Sequence, residues 1–224
     1  MNNSNSDTDD RLLYACLAFS GEITASVTHE LNNVLGTIDQ VAGLFDDLAA
    51  TPTAEVTVAT ERLKTLADRV DKQTERGITL IKRLNAFAHM GDHITVECNL
   101  NDVIENLTNL TQRIANMQRI ELKTSLPNHS IMVTTNPLLL SHVLFLCIKR
   151  ALSLGDRDEV LNVRLSQQDE KAEVTIEVQC GDAVSDSSND GDLSNLLSRI
   201  PAEVSELISD GRLSINVIVP IRHQ

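Results

Sequence analysis

Apolar residues in the first quarter of the chain recur at a helical spacing. Val27, Leu31, Val34, Ile38, Val41, Phe45 and Leu48 step by four and three in alternation, the pattern of a heptad seam. Leu12, Cys16, Phe19 and Ile23 carry the stripe upstream, and no proline interrupts residues 9–50, so one long helix is predicted there. The Ala-Thr-Pro-Thr turn around Pro52 ends it. A second stripe, Leu63, Leu66, Val70, Ile78, Ile81, Leu84 and Phe87, runs to Met90-Gly91, where glycine can cap a helix. Two helices joined by a short loop fold back as an antiparallel hairpin that buries little alone. Each stripe is wide enough for a second neighbour. Two hairpins are therefore expected to pair as a homodimer with a four-helix bundle.

Beyond Ile94 the pattern changes. Strands are predicted at 95–98, 120–125 and 131–135, and amphipathic helices at 101–117 and from Asn136-Pro137 to about Ser153. Residues 160–167 and 172–180 read as a hairpin. Residues 181–192 form an acidic, serine-rich loop, and 193–208 read as a helix interrupted at Pro201. A last strand, 213–219, follows the Asp210-Gly211 turn. The fold class is thus α+β: a disordered tail at 1–8, a helical hairpin at 9–93 and a two-layer α/β sandwich at 94–224.

Composition refines this picture. With 42% apolar residues but only four Phe, one Tyr and no Trp, the cores must be aliphatic. A net charge of −13 argues against binding nucleic acid or an anionic membrane. No stretch approaches the about 18 apolar residues of a membrane span, and the start MNNSNSDTDD lacks the regions of a signal peptide, so a cytoplasmic protein is expected. Cys16, Cys98, Cys147 and Cys180 show no CxxC spacing and predict neither zinc nor disulfides.

His29 lies across the first helix from the Val27–Leu31 seam, since each residue turns the helix by about 100°. It should face solvent. Glu22, Ala25, Asn33, Gly36, Gln40 and Gly43 share its side, with Ser26 and Asn32 nearby. Each glycine costs such a helix about 1 kcal/mol against alanine. With Ala25 they leave a low surface on which a partner could approach the imidazole. Glu22 is most simply a solvated charge, with docking as the alternative. His89 and His93 have the spacing of a helical metal pair but no supporting ligands. His142, among apolar helix residues, reads as structural, and the serines of the acidic loop form no nucleophile constellation.

The segment Ser26-Val27-Thr28-His29-Glu30-Leu31-Asn32-Asn33-Val34-Leu35-Gly36-Thr37-Ile38 resembles the phosphoacceptor box of sensor histidine kinases. Glu75-Arg76-Gly77 followed by Leu80-Ile81-Lys82-Arg83-Leu84-Asn85-Ala86-Phe87 resembles that family's return helix. The resemblance covers 9–91 well and the remainder loosely. It implies that His29 is the phosphoacceptor, Glu30 the acid/base residue that fixes its tautomer, and Asn33 the residue that positions a phosphoryl oxygen or a water. A neutral imidazole suits the first role because it is a good nucleophile near neutral pH. Ala25, Ser26, Asn32, Gly36, Gln40 and Glu22 then form the surface for a partner.

The second half resembles the family's ATP-binding domain in layout only. Where the family has Asn-Leu-x-x-Asn-Ala, this chain reads Leu146-Cys147-Ile148-Lys149-Arg150-Ala151, and neither Leu146 nor Arg150 can ligate magnesium. Gln179-Cys180-Gly181-Asp182-Ala183 stands where Asp-x-Gly-x-Gly should follow, and no glycine-rich lid comes after it. A degenerate, ATP-free domain behind an acceptor hairpin resembles the dimeric histidine phosphotransferases of phosphorelays. The implied partners are response-regulator receiver domains, which bring their own Asp and Mg²⁺, so no cofactor is expected on this chain. A receiver phosphatase, a non-catalytic scaffold and an ATP-dependent kinase remain as alternatives.

Overall fold

The computed structural model describes residues 3–50, 56–181 and 190–221. They form an α+β fold of helices followed by a mixed sheet, in two compact units: residues 24–85, and residues 1–23 together with 86–224.

The smaller unit consists of the adjoining parts of helices α1 (Asn3–Ala50) and α2 (Val56–Ala88). Helix α1 starts at Asn3, where the sequence predicts a disordered tail. No proline or glycine separates residues 3–8 from the seam, so nothing stops the helix there. Val27, Val34 and Val41 are buried, and Leu31, Ile38, Phe45 and Leu48 are half-buried, as the heptad predicts. On α2 the buried positions are Leu66, Gly77, Leu80 and Phe87 among the residues whose burial is described. Ile78 and Ile81, assigned to the seam from sequence, are 49% and 57% exposed, and Leu63 is 45% exposed. The reason is local: a Cβ on Gly77 would lie 3.3 Å from Val34 Cγ1, so the missing side chain lets α2 turn this edge toward α1.

In the larger unit, strand β1 (Val96–Asn99) pairs antiparallel with β3 (Met132–Thr135). A five-stranded sheet has the order β2-β4-β5-β7-β6, formed by β2 (Glu121–Ser125), β4 (Val160–Gln168), β5 (Lys171–Gln179), β7 (Arg212–Pro220) and β6 (Glu203–Ser209). Among the described residues, only the β2–β4 pairing is parallel. Alternate residues of the central strands, such as Val174, Ile176, Ile215 and Val217, are buried on strands that pack with helix α4 (Pro137–Leu154), while helix α3 (Leu100–Met117) packs with β2 and α4. Asn99 caps α3, and Asn136, followed by Pro137, caps α4 by accepting from the Leu139 N–H at 2.9 Å. Helix α4 does reach 18 residues with membrane-like hydropathy, contrary to the sequence reading, but its apolar side chains are core: Leu140, Val143, Leu144, Phe145 and Ile148 are all buried.

Two further differences from the sequence reading have clear causes. Residues 203–209 form a strand, not the end of a helix; α5 is only Asp190–Leu197. Pro201 stops the helix, and Asp210 (φ 52°) and Gly211 (φ 69°) make the left-handed two-residue turn that favours a hairpin. The acidic loop falls largely on 182–189, outside the described residues. The first 23 residues also pack with the α/β unit, because the Phe19 ring lies 4.9 Å from Phe145 and 5.3 Å from Phe87. The expected boundary near residue 93 therefore does not coincide with the compact units.

Candidate functional site around His29

His29 is solvent-exposed on α1, opposite the buried valines. Its Nδ1 lies 3.3 Å from the Asn33 carboxamide Nδ2, one turn further along the helix. Ala25, Asn32, Gly36 and Gln40 are exposed on the same side. A Cβ on Gly36, about 10 Å along the helix from His29, would meet nothing within 4 Å, so the same face is also low and open two turns further on. The backbone there is ordinary helix, and Thr28 returns its hydroxyl hydrogen bond to the Thr24 carbonyl at 2.9 Å.

Three residues stand differently from expectation. Ser26 is 3% exposed and its Oγ has no partner, so it belongs to the interior and not to the outer surface. The buried stripe of Ile23, Val27 and Val34 is broad enough to include the residue preceding Val27. Glu30 is not turned to His29; it accepts from Arg76 Nη2 of α2 at 3.1 Å and keeps 15% of its side chain exposed. Glu22 is not a free solvated charge: it accepts from Lys149 Nζ of α4 at 2.9 Å, within the larger unit. Arg76 is the participant that sequence reasoning missed. Residues 46 apart in the chain leave no local pattern to connect them.

A second histidine is structural. His142 on α4 is buried, its ring stacked on Phe19 with centroids 4.6 Å apart and planes 7° from parallel. Its Nδ1 is 3.8 Å from Cys16 Sγ. Burial lowers its pKa to about 4, partly offset by Asp192. Burial also raises the Cys16 thiol, so this pair does not form a thiolate–imidazolium couple. His89 bonds Asp92 at 2.7 Å, and the described residues hold no cluster of three metal-ligating side chains.

On α4, Leu146 is half-buried, and the Arg150 guanidinium is bonded to Glu206 of β6 at 3.2 Å. Both positions thus carry side chains that offer no oxygen to a hard cation.

No protein-family model and no curated protein matches the sequence. Among solved structures the chain is similar to the histidine kinase AdeS of Acinetobacter baumannii, at 12% identity over 87% of this chain and 98% of that one, with a TM-score of 0.49. The histidine kinase ThkA in complex with the response regulator protein TrrA gives 14% identity, 99% and 67% coverage, and 0.49. The nucleotide-free catalytic domain of ThkA gives 12% identity over 57% of this chain and 97% of that domain, with a TM-score of 0.50. Over that share the chain has the fold of a histidine-kinase catalytic domain.

Proposed function

We propose that this chain is a histidine phosphotransfer protein of a two-component phosphorelay, passing a phosphoryl group between receiver aspartates through His29 without binding ATP. The observation that supports it best is the exposed imidazole of His29, set on an open helix face beside the Asn33 carboxamide. A donor receiver can bring an aspartyl phosphate to such a ring without meeting a bulky side chain. Phosphoryl transfer then needs positioning and charge neutralisation, and the receiver contributes its own Mg²⁺.

The larger unit supports the ATP-free part of this reading. Over 57% of its length the chain has the fold of a kinase catalytic domain, but in the larger unit Leu146 and the Arg150–Glu206 ion pair occupy positions where the resemblance calls for metal-binding asparagines. On this reading the unit is a degenerate domain retained as scaffold or docking surface. The chain works as a homodimer: Leu35, Leu44, Leu63, Ile78 and Ile81 are large apolar residues left exposed along α1 and α2 of one protomer, and a second hairpin would cover them. A cytoplasmic setting agrees with four free cysteines.

One observation favours a receiver phosphatase as the second reading: Asn33 is itself exposed, where its carboxamide could align a water on a partner's aspartyl phosphate. Incubation with a phosphorylated receiver separates the two. Under phosphotransfer, His29→Ala stops loss of phosphate from the receiver. Under the phosphatase reading, Asn33→Ala stops it and His29→Ala leaves much of it.

A further inference from the structure

An imidazole that attacks phosphorus through Nε2 must carry its proton on Nδ1. A free imidazole side chain has no strong reason to do so, which makes the group facing Nδ1 important. The carboxylate next in sequence would be the obvious choice, but Glu30 is engaged with Arg76 on α2 and mostly buried against it. The group that does face His29 Nδ1 is the Asn33 carboxamide, at 3.3 Å. Its two ends are nearly the same size. With Nδ2 inward it donates to a bare Nδ1, and the proton sits on Nε2. Turned by half a rotation, Oδ1 accepts from Nδ1–H and the Nε2 lone pair is free.

We infer that Asn33, and not Glu30, is the positioning residue that sets the tautomer of His29, by accepting the Nδ1–H bond in the nucleophilic form. The inference rests on the phosphotransfer reading for its purpose, not for its test. In the transfer step the Nε2 lone pair forms the N–P bond. The P–O bond to the donor aspartate breaks, and its electron pair leaves on the carboxylate. The ring gains a positive charge, and its retained Nδ1 proton is held by Asn33 Oδ1. Return to a second receiver reverses these bonds. Because a carboxamide is neutral in both orientations, it supports the ring without placing a negative charge beside the incoming phosphoryl group. A carboxylate at the same place would repel it.

The test reads the ring nitrogens directly. Long-range ¹H–¹⁵N correlation spectra of the full-length protein at about pH 8, well above the ordinary histidine pKa of about 6.5, report which nitrogen is protonated. A His29→Ala spectrum picks its signals out of the six histidines. Asn33→Leu should shift the population toward Nε2–H, and Asn33→Asp, which can only accept, should shift it toward Nδ1–H. Glu30→Gln should leave the wild-type pattern in place. Asn33→Leu should also slow transfer from a phosphorylated receiver by about 10–100-fold, the usual cost of losing an orienting partner. Identical ring spectra in wild type and Asn33→Leu, or a shift caused by Glu30→Gln, would overturn the inference. A protein that never accepts phosphate would overturn the proposed function instead, while the spectra would still decide the role of Asn33.

Discussion

Two histidines in this chain have opposite environments, and burial governs how one of them, His142, responds to pH. His29 is open to water, whereas His142 is buried and stacked on Phe19, with its pKa lowered to about 4. In the unfolded chain His142 titrates near 6.5, so below that pH the unfolded state binds the extra proton. Its neutral form therefore supports the fold fully above about pH 6.5, and that support is lost as pH falls toward about 4. The loss should reach about 3 kcal/mol. Urea midpoints of the wild type should fall across this window, and His142→Leu should flatten that part of the profile. An unchanged slope would mean that the ring is hydrated in solution. The cysteines offer a companion check, since burial pushes the Cys147 thiol up to about 12. Iodoacetamide at neutral pH should leave it unlabelled in the native protein and modify it only after unfolding.

At the scale of the elements, the open face of α1 sets stability against access. Gly36→Ala adds a methyl that meets nothing and removes a flexible residue from a helix interior, so it should stabilise the fold by about 1 kcal/mol. It should at the same time slow phosphate exchange with a receiver, because the added methyl stands two turns from His29 on the face that a docked receiver would cover. A stabilised variant with unchanged transfer would show that the low surface has no part in docking. Element types were largely legible in the sequence. The heptad stripe of α1 and the caps Asn99 and Asn136 are local signals, and local signals survive into the fold. Strand β6 was misread because 203–209 alternates weakly; only its pairing with β7 across Asp210-Gly211 makes it a strand. On α2, Gly77 reads as a gap in the hydrophobic pattern, yet it is buried and a Cβ there would lie 3.3 Å from Val34 Cγ1, a contact between helices that no local pattern announces. The outward placement of His29 and Asn33 followed from helix geometry alone, whereas the Glu30–Arg76 pair and the burial of Ser26 depend on how two helices meet.

Over the whole molecule, the compact units and the sequence segments do not coincide. Phe19 and Phe87 complete a core with His142 and Phe145, so the α/β unit needs the start of α1. Phe19→Ala should cost about 3 kcal/mol in unfolding free energy, and a fragment starting at residue 94 should lose the native thermal transition that the full chain shows. The exposed Ile78 and Ile81 belong to the dimer proposed above. Replacing both with Asp should give a monomer by light scattering while circular dichroism keeps the strand signal; a wild type already monomeric at working concentration would contradict the bundle. Whether phosphate passes through the exposed ring of His29 is read by mixing the protein with a receiver carrying labelled aspartyl phosphate and mapping the label. Acid-labile phosphate is expected on His29, absent from His29→Ala and absent when ATP alone is supplied. Label found on another residue, or acquired from ATP without a receiver, would contradict transfer through His29.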